Sequence, residues 1–93
     1  VDGFNSYKTA FIVTDKAEEV RDLIVKDINR GGTCFFGKGL YKGVDRKMIY
    51  VTLTRPELVK LQSALSEIDP DAFLNVVSST EIMGKGFKPL PEN

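Results

Sequence analysis

A chain of 93 residues, 42% apolar and 28% charged, can bury one modest core and has no room for a second, and its composition predicts a folded body. Its 13 basic and 13 acidic side chains cancel, which removes the overall field that nucleic-acid binders use, so nucleic acid is not an expected partner. One cysteine and no histidine leave no disulfide framework, no cysteine-rich zinc site and no imidazole base; no metal and no cofactor are expected, and a reducing compartment fits best.

No run of about twenty apolar residues occurs, and Val1 to Ser6 lack the basic start and apolar core of a signal peptide. The chain as given is expected to be soluble. Its first residue is valine, so it reads as part of a longer protein whose membrane segments, if any, lie outside it. Residues 1–7 are expected to be a lead-in, 8–88 the domain, and 89–93 a frayed tail.

The β-branched and aromatic run from Lys8 to Val13 predicts a first strand. Asp15 with Glu18 three residues on matches a helix-capping pattern. Ala17, Val20, Leu23, Ile24 and Ile28 then recur at helical spacing, predicting a helix to about Asn29 that Gly31 or Gly32 closes in the left-handed conformation. Thr33–Phe36 reads as a second strand, with Cys34 expected to be a buried structural thiol. Lys47–Leu53 reads as a third strand, joined to the second by a ten-residue loop, Gly37–Arg46. Connections of that length in small domains are more often functional than accidental.

Thr54-Arg55-Pro56-Glu57 predicts a capping box: the threonine accepts the Glu57 N–H, and proline is tolerated in the first turn. Leu58, Leu61, Leu65 and Ile68 form the stripe of a second helix, which Asp69-Pro70-Asp71 ends by local turn formation. Phe73–Ser79 reads as a fourth strand and Glu81–Met83 as a short fifth. The order βαββαβ predicts an α+β, ferredoxin-like sandwich, an antiparallel sheet with both helices on one face. The third strand is apolar on both faces, Ile49, Val51 and Leu53 alternating with Met48 and Tyr50. The second face is therefore expected to be covered by other copies of the chain, a small homo-oligomer with a trimer favoured.

Several short pieces resemble the C-terminal domain of the YitT family of bacterial membrane proteins: Phe11-Ile12-Val13-Thr14-Asp15-Lys16, Gly31-Gly32-Thr33, Gly37-Lys38-Gly39-Leu40-Tyr41, Ile68-Asp69-Pro70-Asp71-Ala72-Phe73 and Met83-Gly84-Lys85-Gly86-Phe87-Lys88. Together they span nearly all of Tyr7 to Lys88. The resemblance implies a cytoplasmic domain following a multi-pass membrane region, with a fold similar to the P-II signalling proteins and no settled biochemical function.

Two Gly-Lys-Gly triplets carry the site expectation. Glycine lets backbone amides approach an anion and lysine supplies the charge, although both triplets also suit plain turns. Gly37, Lys38, Gly39, Tyr41, Lys42 and Arg46 on the loop, with Gly84, Lys85 and Gly86 near the end, are the candidate residues for a small anionic ligand such as a nucleotide. Lys38, Lys42, Arg46, Lys47, Lys85 and Lys88 are six of the 13 basic residues, and both segments are expected at one end of the sheet. Tyr41 suits either stacking on a base or covering its own loop. No nucleophile, base and orienter assemble, so no enzyme is expected. The competing reading is a structural oligomerisation module without ligand. An RNA-recognition domain shares the topology, but the strands lack its aromatic signature.

Overall fold

The computed structural model describes residues 7–79 and 82–84. Four strands, β1 (Tyr7–Thr14), β2 (Gly32–Lys38), β3 (Asp45–Thr54) and β4 (Phe73–Ser79), form one antiparallel sheet in the order β2-β3-β1-β4. Helix α1 is α-helical over Ala17–Asp22 and continues as π-helical turns over Leu23–Ile28; α2 spans Arg55–Ile68. This is the expected ferredoxin-like arrangement.

Period-two alternation decides which residues face the helices. Ala10 and Ile12 of β1 lie across from Val51 and Ile49 of β3 and from Val76 and Leu74 of β4. Against them pack Val20, Leu23, Ile24 and Ile28 of α1 and Leu58, Leu61 and Leu65 of α2, making one core on one side of the sheet. Burial of such side chains, about 1.5–3 kcal/mol each, is the main favourable term in a domain of this size.

Polar contacts lock the ends of the elements. Thr54 caps α2 as expected: its Oγ1 accepts from the Glu57 N–H at 3.4 Å, and the Glu57 carboxylate accepts from the Thr54 N–H at 2.8 Å. The same carboxylate takes the Arg30 Nε at 3.1 Å, tying the chain after α1 to the start of α2. At the far end of α2, Asp69 does more than form its turn. It accepts the Asp71 N–H at 3.0 Å and also the Thr14 hydroxyl at 2.6 Å, which clasps the end of β1. That Thr14 hydrogen bond comes first among the causes that hold the Asp69 carboxyl below its ordinary pKa.

Five expectations are corrected. The first helix is not capped by Asp15: its N-cap is Lys16, without a side-chain bond, while Thr14 Oγ1 accepts the Lys16 N–H at 2.9 Å. Regular 3.6 spacing does not anticipate the wider turns after Asp22. The left-handed residue that closes α1 is Asn29, at φ 66°, rather than Gly31 or Gly32. Gly32 is needed for another reason, since a Cβ there would sit 2.6 Å from the Tyr50 carbonyl oxygen. Cys34 is exposed, because β2 is an edge strand whose every residue is exposed. The connection between β2 and β3 is also shorter than expected: Gly37 pairs with Arg46 and Lys38 with Asp45, so only residues 39–44 lie outside the ladder. Of the expected fifth strand, Met83 makes an isolated bridge and Glu81 lies outside the described residues.

Candidate functional site

The β2–β3 hairpin carries six of the nine candidate residues: Gly37, Lys38, Gly39 and Arg46 border one hollow, while Tyr41 and Lys42 lie exposed on the turn. Beyond the Lys38–Asp45 pair the chain closes on itself: the Gly39 N–H donates to the Val44 carbonyl at 2.7 Å and the Gly43 N–H to the Gly39 carbonyl at 2.9 Å. Gly43 sits at φ 67°, a conformation other residues rarely adopt, and this completes the tight return. Satisfying these backbone groups inside the turn points the side chains outward. Leu40 and Tyr41 are 103% and 94% exposed.

Between positions 36 and 47 the hairpin carries four cations, Lys38, Lys42, Arg46 and Lys47, against one carboxylate, Asp45, in a chain whose net charge is zero. The cations differ in how far they are already engaged. Lys38 Nζ donates to Asp45 Oδ1 at 2.8 Å, an exposed pair worth at most about 1 kcal/mol. Lys47 Nζ stands 5.6 Å from the centre of the Phe36 ring. Lys42 lies exposed at the turn. Arg46 Nε is 3.7 Å from Asp15 Oδ1 and, although buried, makes no hydrogen bond among the described residues. The Arg46 side chain as a whole is 41% exposed, so the Asp15 carboxylate engages its charge only in part.

The two sides of the hairpin base differ in chemistry. On the helix side a cleft meets Asp15, Glu18, Glu19 and Asp45 as well as Arg46 and Lys47, a setting that disfavours an added anion. On the opposite side, the face of the sheet away from the helices, a hollow of about 600 Å³ has Val13, Phe35, Met48 and Phe73 as its floor. Its rim includes Gly37, Lys38, Gly39, Arg46 and Lys47. An apolar floor with a few convergent polar groups is the usual composition of a small-molecule site.

Gly84 adopts φ 121°, so its turn does need glycine. The strand direction takes it away from the hairpin. Phe73 of β4 lies across from Val13 and Ser79 across from Tyr7, so the chain leaves the sheet at the end remote from residues 39–44. Lys85 and Gly86 lie outside the described residues. Sequence reasoning passed over Leu40 and the Arg46–Asp15 pair; an apolar residue inside a glycine-lysine segment was the available signal for the first, and only tertiary structure reveals the second.

Residues 30–84 match the family model described as uncharacterized protein conserved in bacteria (DUF2179). The chain belongs to this family. The relatives it matches include UPF0750 membrane protein YitT of Bacillus subtilis strain 168, 40% identical over 82% of this chain and 27% of the relative. YvjA, another UPF0750 membrane protein of that organism, is 34% identical over 92% of this chain and 31% of its own length. The chain thus spans less than a third of either. Among solved structures, a DUF2179 protein from Eubacterium ventriosum superposes with a TM-score of 0.66 at 30% identity, covering 76% of this chain and 97% of that one. A putative PII-like signaling protein from Thermus thermophilus gives a TM-score of 0.54 at 20% identity over 80% of this chain and 88% of its own, a likeness of fold. No helix among the described residues is long and apolar enough to cross a membrane.

Proposed function

We propose that this DUF2179 domain is a non-catalytic regulatory part of a bacterial multi-pass membrane protein, held on the cytoplasmic side, that senses a small anionic ligand such as a nucleotide at the base of the β2–β3 hairpin. The composition of the hollow carries the reading: Gly37, Lys38, Gly39, Arg46 and Lys47 rim an apolar floor of Val13, Phe35, Met48 and Phe73. In this arrangement Gly37 and Gly39 let the backbone approach the ligand, Arg46, Lys38 and Lys42 meet its charge, and Tyr41 stacks on its ring. The hollow lies on the sheet face away from the helices, so in an oligomer a neighbouring copy closes it. The fold likeness to a putative PII-like signaling protein supports the regulatory part of this reading.

The test is thermal unfolding and calorimetric titration of the wild type and of the Lys38→Ala, Lys42→Ala double variant against adenine, guanine and cyclic dinucleotides. A bound ligand at a hundred times its Kd stabilises the folded state by about 2.7 kcal/mol. A rise in Tm in the wild type that is lost in the variant, with equal unliganded midpoints, is the expected result. Equal responses, or none to any nucleotide at millimolar concentration, contradict it.

A second reading rests on its own observation. The row Phe35, Met48, Val13, Phe73 crosses all four strands on the free face, beside the Phe11–Tyr50 pair with centroids 5.4 Å apart. That surface suits a module that only joins subunits, and such a module binds no nucleotide in the same titration.

A further inference from the structure

The tip of the hairpin has an apolar character, at Leu40 and Val44, that a ligand at its base leaves unused, although the two readings share Tyr41 and Lys42. Leu40 and Tyr41 are almost wholly exposed, and Val44 on the same turn is 55% exposed. An exposed leucine alone is ordinary, but three large apolar side chains on one six-residue turn are not. The turn is convex and only residues 39–44 long, far too small for the roughly 800 Å² per partner of a stable protein interface. Lys42 stands exposed on the turn itself, and Lys38, Arg46 and Lys47 follow at its base, where Asp45 pairs with Lys38 and Asp15, Glu18 and Glu19 lie on the helix side of Arg46 and Lys47.

An apolar point backed by lysine and arginine fits a surface that is negative outside and apolar just beneath. We propose that the tip of the β2–β3 hairpin docks on the anionic phospholipid surface of the bilayer, Leu40 and Tyr41 entering the headgroup boundary and Lys42 with its neighbouring cations meeting the phosphates. Leucine and tyrosine are suited to that depth, the tyrosine with its ring in the apolar layer and its hydroxyl in the wet one. The closed turn helps, because the Gly39 and Gly43 N–H groups are already bonded within it and are not stripped of water on entry. Basic residues near an anionic leaflet add attraction that salt screens. The inference rests on the reading of this domain as part of a membrane protein, where tethering keeps the tip and the bilayer at high effective concentration. It does not depend on any nucleotide.

The chain contains no tryptophan, so Leu40→Trp places a single reporter at the tip. With vesicles of phosphatidylcholine carrying about one third phosphatidylglycerol, its emission is expected to shift to the blue and to be quenched by bromine on the upper acyl chain. With phosphatidylcholine alone the shift is expected to vanish, and high salt should reverse it. In flotation assays the Leu40→Ser, Lys42→Glu variant should bind anionic vesicles at least about tenfold less than wild type, with an unchanged circular dichroism spectrum because both side chains are exposed. Absent flotation, flotation that the double variant retains, an unshifted tryptophan on bound protein, or equal binding to neutral vesicles each overturns the proposal. None of these outcomes bears on the nucleotide titration.

Discussion

Thr54 and Glu57 exchange bonds across the first turn of α2 while Arg30 holds the glutamate from outside. Burial pushes the Glu57 carboxyl up, but the Thr54 N–H and the Arg30 guanidinium more than offset it and hold the pKa below its ordinary 4.5. A carboxylate depressed in the folded state stabilises the fold above its unfolded pKa and loses that contribution as pH falls through the folded value. Thr54→Ala should therefore cost about 1 kcal/mol in chemical denaturation at neutral pH. Glu57→Gln should also be less stable than wild type above pH 4.5, the two midpoints converging in more acid solution. A Thr54→Ala midpoint equal to wild type would show that the cap contributes nothing. This box was legible in the sequence because every part of it lies within four residues. The role of Gly32 was not, since the Tyr50 carbonyl that excludes a side chain there comes from a strand distant in sequence.

The elements were legible where packing follows the local pattern. The ends of β2 and β3 were not: glycine and lysine have low strand propensity, so Gly37-Lys38 reads as loop. The ladder nevertheless extends through Gly37–Arg46 and Lys38–Asp45, closed by an ion pair that links residues seven apart. The consequence for function is a hairpin held to its tip rather than a floppy ten-residue loop, with its cations at fixed spacing. The exposure of Cys34 has the same origin, because a strand can be apolar in composition and still lie beyond the cover of the helices. Cys34 lines a groove beside α1 with Ile24, Val25 and Phe36.

On the whole-molecule scale, the alternation of β3 correctly indicated a second apolar face, and the register shows how it is arranged. Near the hairpin the free face is apolar, from Phe35 across Met48 and Val13 to Phe73. Toward the other end it becomes polar, where the Thr9 and Ser79 hydroxyls lie 2.9 Å apart and Thr52 faces Thr9. If copies of the domain assemble through this face, Tyr50→Glu puts an unpaired charge next to Phe11, and light scattering should show the wild-type oligomer dissociating to monomers. A wild type that is monomeric well above micromolar concentration would exclude the arrangement. Why the two glycine-lysine segments were expected together is also plain at this scale: sequence order indicated four strands but not that β4 would carry its chain to the end remote from the hairpin.

Amide-resolved NMR titration of the chain with adenine, guanine and cyclic dinucleotides tests most directly whether the hairpin base is a ligand site. The account predicts shifts at Gly37, Lys38, Gly39 and Arg46, the residues that rim the hollow. Unmoved hairpin resonances at millimolar nucleotide, or shifts confined to the helix side around Glu18 and Glu19, would contradict it.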